Sequence, residues 1–353
     1  RIRLTDHELA TKLSFLIAGT PPDAELRQLA SQGSLRQPNV LSAQVDRLLN
    51  SEGGAQTVVR LFREAFGYDY FETFIYDDDF RDGIRLNGLQ ESMVAELDDF
   101  FIHHTLRSNG TYSDLLTSRY SNFQGNALTQ IYGVTAGEKT LPTERSGFLN
   151  RAAMLTKRSG FQASPIKRGL KVLEDVLCTS VGAPPQNAPT AITAVENEIN
   201  TTRHNAEVAS QAAGSTCVFC HDRINPLGFA FENFDTLGRA RTQERIFDGM
   251  GRVIASLPVN TQIQTNELGL ETQSANNSVD LSLQLGNSDR ALMCFAKKLK
   301  KFESRVEVSA ADNCHMSQAL DTLYGQSGQQ GSIREAIKAI VMAEEFLYWN
   351  YQE

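Results

Sequence analysis

Apolar residues recur at helical spacing through the first third of the chain. Leu9, Leu13, Leu16 and Ile17 follow Thr5-Asp6-His7-Glu8, a capping box in which Thr5 and Glu8 satisfy first-turn N–H groups reciprocally. Gly19, Pro21 and Pro22 then stop that helix. Leu26 and Leu29 mark a second helix, Val40, Leu41, Val45, Leu48 and Leu49 a third, and Val58, Val59, Phe62 and Phe66 a fourth. A longer one is predicted to carry Met93, Val94, Leu97, Phe100, Phe101 and His104. No useful length alternates with period two, so residues 1–145 are predicted to form a helical domain. Residues 146–200 read as a connecting helix and a linker containing Gly182, Pro184, Pro185 and Pro189. Residues 201–288 form a separate module, with short extended pieces and polar turns over 246–288. Helices return in 289–353, from about Asp289 to Phe302 and from Asn313 to about Tyr324. The last opens on the capping box Ser332-Ile333-Arg334-Glu335 and sets Ile333, Ile337, Ile340 and Val341 on one face. The expected fold class is mainly α: several helical domains with short extended segments.

Composition narrows the function classes. The chain has 353 residues, 41% hydrophobic and 22% charged, which suits a folded protein of several domains rather than a disordered one. A net charge of −8 argues against a nucleic-acid surface. No apolar run approaches the roughly 18 residues that cross a bilayer. The chain begins at Arg1 without an initiator Met, so a processed or truncated mature chain is expected. Asp77, Asp78 and Asp79 lack the ligand spacing of an EF-hand and read as a solvated acidic loop. His103 and His104 are about 100° apart on a helix and read as surface residues.

The strongest chemical signal is Cys217-Val218-Phe219-Cys220-His221. In covalent c-type haem attachment each thiol adds to one vinyl group of the porphyrin. Two intervening residues on a helical turn set both sulfurs along one edge of the ring, and the following His becomes the iron's proximal ligand. At this composition chance yields CxxCH in about one such chain in a thousand. A thioredoxin-type redox pair needs a preceding strand and a βαβ setting, which the pattern lacks. A zinc site needs four ligands, drawing on His204, Cys294, Cys314 or His315 without a second paired motif.

Residues beyond the motif suit the haem reading. Asn225-Pro226-Leu227-Gly228-Phe229-Ala230-Phe231 is predicted to make a turn and then an apolar aromatic surface. The Pro226 carbonyl is expected to accept the ring N–H of His221 and so fix its tautomer. Phe219, Phe229, Phe231 and Phe234 are expected to exclude water from the ring. Arg239 and Arg241 are candidates for the propionates, with ordinary salt bridging the plain alternative. For the sixth iron position Met250 leads, with Met154, Met293, Met316 or an open site as the alternatives. Cys178, Cys294 and Cys314 allow one disulfide and one thiol. A Cys294–Cys314 bridge, twenty residues apart on consecutive predicted helices, is favoured and would contribute on the order of 3 kcal/mol. Cys178 is then a buried thiol.

From Cys220-His221 through Asn225-Pro226-Leu227-Gly228-Phe229 and Glu232-Asn233-Phe234-Asp235 to Gly238-Arg239, the chain resembles the haem segment of the planctomycete-type cytochrome c-like proteins. These are large secreted bacterial proteins built from consecutive domains of unknown function. Asn225 stands where their pattern has Asp before the proline. Leu4-Thr5-Asp6-His7-Glu8-Leu9-Ala10 with Pro22-Asp23-Ala24-Glu25-Leu26 resembles the start of their helical domain. Ser164-Pro165-Ile166-Lys167-Arg168-Gly169 with Leu177-Cys178 resembles the segment that introduces the haem module, and Cys294, Cys314 and the closing helix resemble a small C-terminal domain. The resemblance implies a cytochrome c-like haem module with one covalent haem, in an exported protein, periplasmic or extracellular, that exchanges electrons with a redox partner protein or within a larger complex. The reading is one-electron transfer; a haem enzyme with an open sixth site and a structural haem subunit are the alternatives.

Overall fold

Thr5 caps the helix Asp6–Ile17 as the sequence requires: its side chain accepts from the Glu8 N–H while the Glu8 carboxylate takes the Thr5 N–H at 2.6 Å. The computed structural model describes residues 2–71, 81–156, 163–183, 199–210, 217–248, 250–306, 316–326 and 329–349. Asp77–Asp79, Pro184, Pro185, Pro189, Cys314 and His315 lie outside them. Among the described residues the chain is mainly α, with 15 α-helices and a few short strands. Two compact units share the chain, and both are discontinuous in sequence.

The first unit comprises residues 1–67, 101–115 and 292–353. Its helices Asp6–Ile17, Ala24–Ser31, Pro38–Leu49 and Glu52–Phe66 fall where the apolar spacing puts them. Leu9, Leu13, Ile17, Leu26, Leu41, Val45 and Leu49 form one core with Val341 and Phe346 from the C-terminus. A stack of Phe62 on Phe101, centroids 4.1 Å apart, extends to Phe66 and Phe295. Ser332 caps the helix Ile333–Met342, and Ile2-Arg3 pairs antiparallel with Tyr348-Trp349, joining the two ends of the unit. His104 is buried, contrary to the surface reading. The helix Leu89–Ile102 passes into a π-turn at His103–Arg107, and Gly110 packs against His104 so closely that a Cβ there would stand 2.9 Å from its Nδ1.

The second unit comprises residues 68–100 and 116–291. Among the described residues its strands form three short antiparallel ribbons: Tyr120–Phe123 with Gly137–Thr140, Gln243–Phe247 with Val253–Pro258, and Ile263–Thr265 with Gln273–Ala275. The extended pieces expected over 246–288 are present, but Ser278–Gly286 is a helix, capped by the Asn277 side chain. A buried ion pair, Arg151 Nη1 to Glu96 Oε1 at 2.7 Å, sits beneath the Tyr120–Phe123 ribbon. Ser121 and Tyr132 donate to the same carboxylate, so both oxygens are satisfied.

Cys178 and Cys294 are both disulfide-bonded, whereas Cys217 and Cys220 are thiols. The expected arrangement, Cys294–Cys314 bridged with Cys178 as the odd thiol, is therefore corrected. Sequence proximity favoured Cys314. Cys178 instead ends the π-turn Val172–Val176 in a left-handed conformation, φ 49°, which reaims its side chain where a helical rotamer would not.

Candidate haem site

The helix Cys217–Phe229 carries the motif on its first turn and a half. Cys217 and Cys220 are half-buried and three residues apart, so the helix sets them on one side. His221 follows and opens onto a cavity of about 680 Å³. The helix contributes His221, Asp222, Asn225, Pro226 and Phe229 to its wall. The helix Thr202–Ser210 contributes Arg203, Glu207 and Ser210, and the ribbon Ile263–Thr265/Gln273–Ala275 with its approach supplies a polar side that includes Gln262, Gln264 and Asn276.

Pro226 does not start a turn. The helix runs through it to Phe229, and the hydrogen bond that Pro226 cannot donate falls on Asp222, an exposed residue. Around Pro226 the helix lies in backbone contact with the helix Pro165–Lys171. A Cβ on Gly228 would lie 1.9 Å from the Pro165 carbonyl oxygen, and one on Gly169 2.0 Å from that of Ile224. Only glycine on both sides permits this crossing. Beside Gly169, the buried Arg168 guanidinium donates to the carbonyls of Leu155, Phe231, Phe234 and Asp235 at 2.6–3.4 Å. It thereby ties the segment that follows the motif helix, residues 231–235, to Leu155. A fork of Arg223 onto Glu267, at 2.6 and 3.0 Å, ties the same helix to the turn after Thr265. The Arg223 hydrogen bond holds the Glu267 carboxyl below its usual range, with Arg290 adding to the effect.

The partner of His221 differs from expectation. Its Nδ1 lies 2.9 Å from Asn225 Oδ1, one helical turn on, and the Pro226 carbonyl accepts from the Ala230 N–H instead. A side chain at i+4 reaches the ring, whereas a carbonyl inside a continuing helix points along the axis. Phe219 is 78% exposed and cannot exclude water, because it shares the outer face of the helix with Asp222. Phe229, Phe231 and Phe234 are buried as expected.

Arg239 and Arg241 lie away from the His221 cavity, in a groove of about 350 Å³ with Asp82, Asp235 and Arg245. Arg239 holds Asp235 at 2.5 Å and Asp82 at 2.7 Å, and Arg241 holds the buried Glu232 at 3.2 Å. Burial pushes the Glu232 carboxyl up, and Arg241 opposes it. Met250 is 78% exposed on the turn between Gln243–Phe247 and Val253–Pro258, Met154 and Met316 are buried elsewhere, and no methionine is among the described residues of the cavity wall.

The donor set fits a covalent haem. Two unbridged thiols sit a turn apart beside an imidazole that faces a cavity in the size range of cofactor sites. Among the described residues no three His, Cys, Asp or Glu side chains converge as a metal-ion site, and Cys294, one of the four residues the zinc alternative could draw on, is in a disulfide. Arg168, Gly169 and Gly228 stand out in the sequence only as members of the family-like segments, and Ser210 not at all; the roles of all four depend on partners 13 to 67 residues away.

No curated protein and no solved structure gives a significant match to the chain. Two family models do. Residues 4–134 match PSD4, described as "Protein of unknown function (DUF1592)". Residues 145–244, which span the motif helix and its Gly169 and Arg168 supports, match PSCyt3, described as "Protein of unknown function (DUF1588)". The chain thus carries a DUF1592 segment followed by a DUF1588 segment, and the haem-type motif lies in the second.

Proposed function

We propose that the protein is a c-type cytochrome with one covalently attached haem, acting as a one-electron carrier in the periplasm or outside the cell. The observation that carries this is the pair of unbridged thiols on the first turn of Cys217–Phe229, with His221 beside them on the cavity wall. When bound, the haem supplies an iron that cycles between two oxidation states. Cys217 and Cys220 would anchor the porphyrin edge, and His221 would ligate iron through Nε2. Phe229 would supply apolar wall, and Arg203, stacked 4.6 Å over the Phe229 ring, a cation within the cavity. Oxidation of such a carrier releases one electron to a redox partner protein and leaves no other product. The test is export of the chain in a host that matures c-type cytochromes, followed by denaturation: the haem chromophore should stay with the polypeptide and vanish in C217A/C220A.

One observation favours a second reading, an open sixth position. The described cavity wall sets His221 among amides, serine hydroxyls, Arg203 and the carboxylates of Glu207 and Asp222, with neither methionine nor a second histidine. Binding of carbon monoxide to the reduced protein without prior unfolding would favour it, and a ligand-inert low-spin spectrum would favour the carrier.

A further inference from the structure

We infer that Asn225 is a positioning residue for His221, and that Ser210 fixes which end of the Asn225 amide faces the ring. The use made of the ring rests on the haem reading above; the hydrogen-bond chain does not.

The Ser210 hydroxyl has one proton, and its oxygen lies 2.7 Å from the Ala206 carbonyl oxygen and 3.1 Å from that of Glu207, both acceptors in its own helix and Ala206 the nearer. Ser210 Oγ is also 3.0 Å from the Asn225 amide nitrogen. With its proton committed to Ala206, the hydroxyl meets Asn225 as an acceptor, so the Asn225 NH2 donates and its Oδ1 is turned toward His221. At 2.9 Å from an oxygen that only accepts, His221 Nδ1 must carry the proton. The imidazole is thereby held in the Nδ1–H form, with its Nε2 lone pair available to a ligand. Asn225 and Ser210 are 6% and 5% exposed, so water does not compete along this chain. His221, Asn225, Ser210 and Ala206 form a relay from one helix backbone to the ring, at the place usually filled by a carbonyl or carboxylate behind a metal-bound histidine.

The choice of amide also sets the strength of the contact. A neutral amide oxygen draws less on the ring proton than a carboxylate would, so the ring donates less electron density through Nε2. The full-length chain, exported and matured, is compared with N225D, N225L and S210T. Intact mass first decides whether haem is covalently bound. If it is, N225D should shift the midpoint potential downward and lower the absorbance-detected lability of the His221–iron bond. N225L should shift both the opposite way, and S210T, which keeps the hydroxyl, should match the parent. A merely structural role would move N225D and N225L in the same direction, and equal potentials in all four proteins would overturn the inference. If no haem is bound, the haem reading fails and the ring itself decides. Long-range proton–nitrogen correlations in 15N-labelled chain should show Nδ1–H in the parent and a mixture in N225L. A parent ring protonated at Nε2 would overturn the inference.

Discussion

Replacing Arg168 by Met removes a charge that no motif search would flag. Its guanidinium meets four main-chain carbonyls, at 2.9 Å for Phe231 and Phe234, 2.6 Å for Asp235 and 3.2 Å for Leu155. Each charge-assisted bond is worth about 1.5–3 kcal/mol when an isolated partner is removed. A plain sum overstates the loss, because the segment relaxes and water reaches some carbonyls. A buried carbonyl left without a donor costs about 1–3 kcal/mol, so with partial relaxation a total of about 3–5 kcal/mol is expected here. In a unit of about 200 residues this lowers the melting temperature by on the order of 10 °C. Urea unfolding of the R168M chain, followed by circular dichroism, reads the change directly. R168K keeps a charge but loses the planar fork, so it should fall between parent and R168M. An R168M midpoint within 1 kcal/mol of the parent would mean that the carbonyls find other partners, and the support ascribed to Arg168 would be wrong.

Other perturbations follow from the same geometry. G228A places a methyl 1.9 Å from the Pro165 carbonyl oxygen, so the two helix backbones must part at a cost of about 3 kcal/mol, seen as earlier unfolding and as weaker His221 ligation in the matured protein. R151M leaves the buried Glu96 carboxylate without its cation and should cost about 3–5 kcal/mol, whereas exposed R252A should change stability little. Glu267 gives a pH test. Its carboxyl titrates lower in the folded chain than in the unfolded one, so its contribution is present above the unfolded Glu value near 4.3 and is lost as pH falls through the folded value. E267Q should lack that part of the acid destabilisation, and an unchanged acid profile would count against the Arg223–Glu267 tie.

Much of the helical frame was legible because local pattern and packing agree. Thr5 and Glu8 close their capping box, and Leu9, Leu13 and Ile17 enter the core together. The short helix Ser278–Gly286 was missed, since its cap is the single side chain Asn277 and its polar neighbours read as turns. Pro226 misled in the other direction. Proline normally interrupts a helix, but this one continues through Pro226 to Phe229, with a second backbone packed against it at Gly169 and Gly228. His104 read as a surface residue from its residue type, although it lies three residues beyond Phe101 on the same helical face, and that face is buried. Within the candidate site the motif named Cys217, Cys220 and His221, and Phe229 lines the same cavity as His221. Arg239 and Arg241 could be named as cations but not placed, because their partners Asp82 and Glu232 are known only once the chain is folded. Asn225 stood out only as a departure from the Asp of a related pattern, and its pairing with Ser210 crosses between helices that sequence cannot align.

The central claim is a haem held by covalent bonds to Cys217 and Cys220. Its most direct measurement is the intact mass of the exported chain after acidic organic extraction, taken with oxidised and reduced absorbance spectra of the same sample. The account expects one haem's mass to remain on the polypeptide, a reduced α-band to appear, and both to disappear in C217A/C220A. A parent chain of unmodified mass, with no absorbance beyond that of protein, would contradict it.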